Sequence, residues 1–517
     1  MDSFSRRTTL QLLLALAASP ALAKPRIRHT IKEFHYDDLI KKAENLSLSP
    51  YEEPPLHLPG KIDNLDFDSY RNIRFRKEKS FLNGKDSSYR MQLFHLGFLY
   101  RDPVTINIIN NGIPIPIPYR PDLFDSGKTR IGTKLPANTG FAGFRLHYPL
   151  NDPLVFDELI AFLGASYFRF LGRDQHYGLS ARGIALNVAD GRAEEFPRFR
   201  EFWVTNPPPA SGHITIYALL DGPSLTGAYQ FQIYPAKQTS VDVQVTLFPR
   251  KSIDSIGFAP LTSMYFSGEN NQKETEDFRN ELHDSDGLLM HTEAGEWIWR
   301  PLRNTDEKSI SSFNDNNPRG FGLMQRDRSF ASYQDLEALY HKRPSYWIEP
   351  FGSWGEGRVE LVEIPTTDET HDNIVCYWRP HAPLLPGERF SFSYNIKALG
   401  AADTLHPGGK AVNTFIVPAR ASGSNAPSDP SLRRFIIDFS GGDLEYYQDV
   451  PHLVELVPTT TTGKIVHTFL VPNPENKGFR AAIDIQLAPN TTTDLRAYLR
   501  AGPAALTETW IYPWAQK

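Results

Sequence analysis

The chain has 517 residues, a formal net charge of -5 at pH 7, 12% aromatic residues and a single cysteine. A mildly acidic chain without a basic block is a poor candidate for nucleic-acid binding, and one cysteine excludes an intrachain disulfide. The length exceeds that of an ordinary single core, so we expect at least two domains.

The first 23 residues resemble an export signal. Arg6 and Arg7 precede an apolar run over 12–18, and 21–23 read Ala-Leu-Ala, a small-x-small cleavage site. An arginine pair directly before the apolar run favours the twin-arginine route. No later stretch approaches the ~18 apolar residues of a membrane helix. We therefore expect removal of residues 1–23, no membrane span and a periplasmic location.

Two stretches have helical spacing, and most of the remainder has strand spacing. The helical stretches are 35–47 and 157–163, the second with acids in its first turn. Apolar and polar residues alternate strictly over 241–247 and 390–396. Further strand-like runs cover 213–220, 229–234, 359–364 and 373–378. Many short strands separated by turn residues predict an all-β protein built from sandwiches.

Composition changes near residue 400. Residues 400–410 are rich in small residues, glycine and proline, and 421–430 form a second loop-like stretch. Six predicted strands follow, at 434–439, 453–457, 464–470, 479–487, 495–499 and 507–512. That number of strands in that length fits an immunoglobulin-like sandwich. We predict a large first domain over 24–402 and a smaller second domain over 403–517.

Several common site motifs are absent from the sequence. It contains no phosphate-binding loop, no dinucleotide-binding glycine pattern, no H-E-x-x-H, no paired C-x-x-C and no G-x-S-x-G elbow. Asp284-Ser285-Asp286-Gly287 resembles a calcium loop in part, but it lacks the third acid and the distal glutamate. We therefore expect neither a cofactor nor a metal.

Acids instead cluster among aromatic residues and glycines. One cluster covers 281–287 and is followed by a tryptophan-containing segment at 295–301, and the other covers 363–373 between two strand-like runs. Glycoside hydrolysis needs two carboxyl groups, and loops expose such groups to substrate. An acid-rich loop is more often simply solvated, so the residue types alone leave both interpretations open.

Ten short segments are distributed through the chain, at 140–145, 162–169, 177–183, 262–265, 283–288, 295–302, 317–323, 325–328, 372–375 and 507–510. Together these segments resemble the OpgG/OpgD (MdoG/MdoD) family of periplasmic glucan biosynthesis proteins. The resemblance implies a large N-terminal sandwich of the galactose-mutarotase type and a smaller C-terminal immunoglobulin-like sandwich. The arginine pair in the export signal favours an OpgD-like member.

The same resemblance implies a function and a pair of catalytic residues. Some members are grouped as glycoside hydrolase family 186, inverting endo-β-1,2-glucanases. By that likeness Asp372 is the general acid and Asp284 the general base, with proton paths running through a substrate hydroxyl and a water chain. Glu369 and Tyr340 are the next candidates, as partners of sugar hydroxyls, although Tyr340 equally fits a core position. No cofactor is implied.

Other substrate contacts and functions stay open. Trp297 and Trp299 share one face of a predicted strand, which favours a core position slightly over a sugar-stacking platform. Arg300 and Arg319 either line the cleft or pair with buried acids. The alternatives to hydrolysis are transglycosylation on β-1,2-glucan and non-catalytic escort of glucan, with a functional link to the inner-membrane glucan synthase. The sequence does not indicate an oligomeric state.

Overall fold

The computed structural model describes residues 33–516 apart from 54–57, 59, 128–135, 137–138, 210, 273–275, 401–404 and 421–428. The export signal predicted at 1–23 and the domain boundary predicted at 402/403 lie outside the described residues. Within them the protein is almost entirely β, which confirms the predicted fold class.

Helices are few and short. The α-helices are α1 Tyr36–Ser47, α2 Gly60–Asp63, α3 Phe67–Arg71 and α4 Phe330–Tyr333, and single 3-10 turns occur at Lys77–Lys79, Pro121–Leu123, Tyr340–Lys342, Gly442–Tyr447 and Pro451–Leu453. Helix α1 confirms the helix predicted at 35–47. Its buried residues Leu39, Ile40 and Ala43 pack on the large sheet against Trp203 and Phe248. No helix in the described ranges is both long and apolar enough to cross a membrane.

Strands make up the rest of the regular structure. Up to residue 399 they are β1 Arg74–Phe75, β2 Arg90–Phe94, β3 Thr105–Asn110, β4 Ile113–Pro116, β5 Phe124–Asp125, β6 Gly143–Tyr148, β7 Asp157–Leu163, β8 Tyr167–Phe170, β9 Ser180–Arg182, β10 Ala185–Leu186, β11 Arg198–Thr205, β12 Ile214–Asp221, β13 Leu225–Tyr234, β14 Ser240–Pro249, β15 Ile256–Ser263, β16 Tyr265–Ser267, β17 Leu282–His283, β18 Gly287–His291, β19 Trp297–Pro301, β20 Ser309–Asn316, β21 Gly320–Met324, β22 Ser345–Phe351, β23 Glu356–Glu363, β24 Ile374–Pro380 and β25 Phe390–Leu399. The later strands are β26 Lys410–Pro418, β27 Leu432–Ser440, β28 Glu455–Thr460, β29 Lys464–Asn473, β30 Gly478–Gln486, β31 Thr492–Ala501, β32 Ala504–Ala505 and β33 Thr509–Ala515.

Two large sheets pack face to face in the first domain. One has the order β2-β6-β7-β8-β9-β15-β24-β23-β20, and the other runs from β22 and β25 through β14, β13, β12 and β11 to β3 and β4. Aromatic side chains fill the space between them: the Phe231 ring of the second sheet lies 5.2 Å from Phe162 and 5.3 Å from Phe168 of the first. The strictly alternating runs at 241–247 and 390–396 lie in β14 and β25, which pair directly.

The helix predicted at 157–163 is wrong, because these residues form strand β7. Strand β7 pairs antiparallel with β6 on one side and with β8 on the other. Leu159, Ile160 and Phe162 are buried in the sandwich core. A seven-residue helix is marginal by itself, whereas pairing on both sides satisfies the backbone of a short apolar segment.

The C-terminal residues form a smaller sandwich that is joined to the large sheet. One layer is the sheet β26-β27-β30-β29, and the other is β28-β31-β33. Strand β33 pairs in parallel with β19 of the first domain, at Ile298 with Thr509 and at Trp299 with Trp510. All six strands predicted beyond residue 430 are present, whereas β26 was not predicted. The two sandwiches therefore share one continuous sheet.

Candidate functional site

A single asparagine joins the two acid-rich loops. The Asn373 side chain accepts a hydrogen bond from the Tyr265 backbone N–H at 2.8 Å and donates to the backbone oxygens of Tyr265 and Ile364, both at 3.0 Å. Tyr265 lies on β16, which pairs with β17 at His283. The 364–373 loop, which carries Asp372, is therefore fixed beside the turn that carries Asp284.

Asp372 lies at the edge of an open cleft of about 530 Å³. Its side chain is 40% exposed, and the Arg169 guanidinium lies 3.9 Å from its carboxylate. Protein surrounds the carboxyl on its other sides, and this desolvation raises the pKa of Asp372 above its ordinary value; the negative charge of Asp284 raises it further, while Arg169 opposes the shift. The site thus contains a solvent-accessible carboxyl group that holds its proton to a higher pH than a free aspartate.

Asp284 is buried in the turn between β17 and β18. Its carboxylate forms an ion pair with Arg343, and its backbone N–H donates to the Met264 oxygen at 2.8 Å. The Arg343 guanidinium also lies over the Tyr340 ring, 4.0 Å from its centroid. Arg343 thereby fixes the position of Asp284 relative to Tyr340.

Glu369 and Tyr340 are in direct contact. The Tyr340 hydroxyl donates to Glu369 at 2.6 Å, and Arg279 donates to both oxygens of the same carboxylate at 2.9 and 3.0 Å. Burial and the Glu369 carboxylate raise the pKa of the Tyr340 hydroxyl far above its ordinary value, so it remains a donor at physiological pH. Arg279 is itself held by Asp277 and Asp335. Four residues predicted for the site therefore occupy one region: Asp284, Asp372, Glu369 and Tyr340.

Sequence comparison identifies the family of this chain. Residues 34–514 match the family model described as periplasmic glucan biosynthesis protein, MdoG. The chain is 42% identical to a probable glucans biosynthesis protein D of Shewanella oneidensis over 98% of this chain and 93% of that protein. It is also 42% identical to a glucans biosynthesis protein G of Ralstonia nicotianae, over 98% of this chain and 99% of that protein. The chain belongs to the MdoG family. Equal identity to D and G proteins leaves the subtype open.

Trp297 and Trp299 lie elsewhere in this MdoG-family protein. Both belong to the core between the two sandwiches, where Trp299 is 3% exposed and the Trp297 ring is stacked 4.0 Å from His291. Arg326 lies over the Trp299 ring at 3.4 Å. The structure thus places both tryptophans in packing positions, the interpretation that the sequence slightly favoured.

The structure places Arg300 and Arg319 outside the lining of the Asp372 cleft. Arg300 is fully buried and donates to Glu363 at 2.8 Å, which matches the alternative of pairing with a buried acid. Arg319 is exposed, and its backbone N–H donates to the His291 oxygen at 2.9 Å. Neither arginine lines the Asp372 cleft.

Three arginines of the site were not identified from the sequence of this family member. Arg169 faces Asp372, Arg279 holds Glu369, and Arg343 holds Asp284. Arg169 is the last residue of the segment 162–169, which resembles the family, so the resemblance could have indicated Arg169 as a site residue. Arg279 and Arg343 carry no local pattern that links them to their partners.

A second, larger groove adjoins the Asp372 cleft. Its volume is about 1030 Å³, and it shares the lining residues Thr305 and Asp306 with that cleft. The opposite wall comes from the C-terminal sandwich and includes Trp514 and Asp494. Residues of both sandwiches therefore line the combined depression.

Proposed function

We propose that this protein is an inverting endo-β-1,2-glucanase that acts on glucan in the periplasm. The observation that carries the proposal is the raised pKa of Asp372 in an open cleft beside Asp284. An inverting glycosidase needs one carboxyl group that is protonated and another that is ionised. The first domain, 24–402, would supply both groups, and the second, 403–517, would supply part of the binding groove.

The two carboxyl groups have different roles in the proposed reaction. Asp372 gives its proton to the glycosidic oxygen, through a hydroxyl group of the substrate. Asp284 receives a proton from the attacking water through a chain of further waters, and its carboxylate pairs with Arg343. Water attacks the face opposite the leaving group, so the anomeric configuration inverts.

Glu369 is proposed to bind a sugar hydroxyl group, and Tyr340 to position the Glu369 carboxylate. Arg279 fixes the Glu369 carboxylate, which is 31% exposed and so can still accept from a ligand. Tyr340 is buried and already donates to Glu369, so its role is to orient that carboxylate. The neighbouring groove has space for further glucose units.

Two alternatives use the same site. A transglycosylase would transfer the glucan to an acceptor sugar instead of water, and an escort protein would bind glucan without cleaving it. Burial of Asp284 against Arg343 is the observation that favours the escort protein, because hydrolysis and transglycosylation both need a base that takes a proton from the attacking hydroxyl group, whereas binding does not. Either alternative is compatible with a functional link to the inner-membrane glucan synthase.

Product analysis tests the proposal directly. We expect the purified protein to convert linear β-1,2-glucan to short oligosaccharides whose new reducing ends first appear as the α-anomer by NMR. Relinked or cyclic products with no gain in reducing ends would establish the transglycosylase instead. Binding without any product would leave only the escort function and contradict a catalytic role for Asp372 and Asp284.

The pH profile provides a second test. Activity that requires protonated Asp372 is present at low pH and is lost as the pH rises through the raised pKa of that carboxyl. Arg169 lowers this pKa, so Arg169→Gln should move the alkaline limb of kcat/KM to higher pH. Arg192→Gln is the control, because Arg192 pairs with Asp190 and Asp254 and should leave the profile unchanged. If the alkaline limb of kcat/KM stays at the same pH in Arg169→Gln, the pKa of Asp372 does not determine that limb.

A further inference from the structure

Behind the Asp284 turn, four side chains direct their polar atoms at one another. They are Glu269, Glu281, His283 and Asp286, and one potential ligand atom from each lies within 4.8 Å of all the others. His283 and Asp286 flank Asp284 in sequence, and Asp284 itself pairs with Arg343 instead. The cluster therefore contains three carboxyl groups and one imidazole in the protein interior.

Two carboxylate oxygens of this cluster lack hydrogen-bond partners. Asp286 is 3% exposed; its Oδ2 accepts from the backbone N–H groups of Arg326 and Asp327, whereas its buried Oδ1 has no partner. The Oε2 atom of Glu269 is likewise buried without a partner. A buried carboxylate oxygen without a partner is costly, and a bound ion is one of the few ways to offset that cost.

Hydrogen bonds hold His283 in the orientation of a metal ligand. Its Nδ1 lies 2.9 Å from the Gln325 side-chain oxygen, and the Gln325 amide nitrogen donates to the His283 backbone oxygen at 3.0 Å. The oxygen can only accept, so Nδ1 carries a proton. Without an ion, Nε2 also donates to Glu281 at 2.9 Å and lies 3.5 Å from Asp286, and a bound ion would replace that second proton. Metal-binding histidines characteristically donate their other ring N–H, as Nδ1 does here.

We propose that Glu269, Glu281, His283 and Asp286 bind a divalent transition-metal ion of the zinc and manganese class. Imidazole together with carboxylates suits these ions, whereas calcium and magnesium prefer oxygen ligands alone. Four tetrahedral donors with zinc bonds of about 2.0–2.2 Å lie about 3.4 Å from one another. His283 Nε2 lies 2.9 Å from Glu281 and 3.5 Å from Asp286, close to that spacing, whereas the pairs that approach the 4.8 Å limit must move closer when an ion binds.

The cluster is accessible from the groove between the two sandwiches. Glu269 lines that groove, and a cavity of about 10 Å³ lies between Glu269, Asp286 and Trp299. That volume is close to the space occupied by one water molecule, so a small ion can pass or reside there. Asp327 adds negative charge near Glu281 and favours a cation further.

A bound ion would fix the turn that carries Asp284. Two ligands, His283 and Asp286, bracket Asp284 in the chain, and a third, Glu281, precedes the turn. The metal site does not depend on glucan cleavage and would exist equally in an escort protein. We expect the bound ion to stabilise the protein and to hold the turn in one position.

The test is metal binding by the purified, chelator-treated protein. We expect saturable binding of a single ion per chain when ZnCl₂ or MnCl₂ is titrated by calorimetry, and an unfolding midpoint that rises with the logarithm of the ion concentration. CaCl₂ at the same concentrations should produce neither effect. Titration without saturable binding, or equal binding of calcium, would overturn the proposal.

Two substitutions localise the site. Asp286→Asn keeps an oxygen for the backbone N–H groups and replaces the unpartnered oxygen with an amide nitrogen, whereas Glu269→Gln alters a side chain with no hydrogen bond on Oε2. Each should weaken zinc binding by at least about tenfold. Glu307→Gln removes a charge from the same groove outside the cluster and should bind zinc as the wild type does. Unchanged zinc affinity in Glu269→Gln would contradict the assignment, and so would an equal loss of zinc affinity in Glu307→Gln. Both variants test the site even if Asp286→Asn fails to fold.

Discussion

Asp372→Asn is expected to lose about 10²–10⁴-fold in kcat on linear β-1,2-glucan, the usual contribution of a positioned general acid. The amide has the same shape as the carboxyl group but has no acidic proton to transfer. Folding should be unaffected, because the Asp372 side chain is 40% exposed and its contact with Arg169 is long, at 3.9 Å. Initial rates, the unfolding midpoint and glucan affinity should be measured on the same preparation.

The matched control for this variant is Asp368→Asn. Asp368 is an exposed acid in the same loop, and its Oδ1 accepts from the Thr370 backbone N–H at 2.7 Å, which an asparagine oxygen can also do. Its activity should match that of the wild type. Comparable activity of Asp372→Asn and wild type, with both folded, would remove Asp372 from the role of acid. Equal losses in both variants would instead indicate a disturbed loop.

The general location of the site was predictable from the sequence, but the contacts within it were not. The acid clusters at 281–287 and 363–373 indicated the two loops, and the family likeness selected Asp284, Asp372, Glu369 and Tyr340. The ion pairs that fix these residues span long sequence separations, 59 residues for Arg343 with Asp284 and 90 for Arg279 with Glu369. Such pairs have no local period, so they emerge only from the tertiary fold.

Strands were predictable where one face is buried and alternation is strict, as in β14 and β25. Strand β7 was mistaken for a helix because a short apolar run does not distinguish the two periods. The joining of the two sandwiches through β19 and β33 also escaped prediction, because strand pairing depends on partners that are distant in sequence. This joining explains the position of Trp297 and Trp299, whose rings pack where the second sandwich meets the first.

The acid clusters contain both candidate site residues and residues that stabilise the fold. Glu363 is of the second type. Glu363 begins the second cluster, yet its side chain is 1% exposed and pairs with the fully buried Arg300 at 2.8 Å. Its other oxygen accepts from the Arg303 backbone N–H, also at 2.8 Å. The carboxylate therefore compensates a buried guanidinium and connects β19 with the end of β23, one residue before the loop that leads to Asp372.

Glu363→Ala is accordingly expected to destabilise the protein by about 3–5 kcal/mol, the cost of leaving a buried charge without its partner. Denaturant unfolding followed by fluorescence measures this change. The exposed pair of Lys477 and Glu445, also 2.8 Å apart, provides the comparison, and Glu445→Ala should leave the unfolding midpoint unchanged. The double variant Arg300→Leu/Glu363→Leu should be more stable than Glu363→Ala, because it removes both charges and fills the space with apolar atoms. If Glu363→Ala were as stable as wild type, burial of the Arg300 charge would not require Glu363, and the Pro301 carbonyl oxygen or solvent would have to compensate that charge.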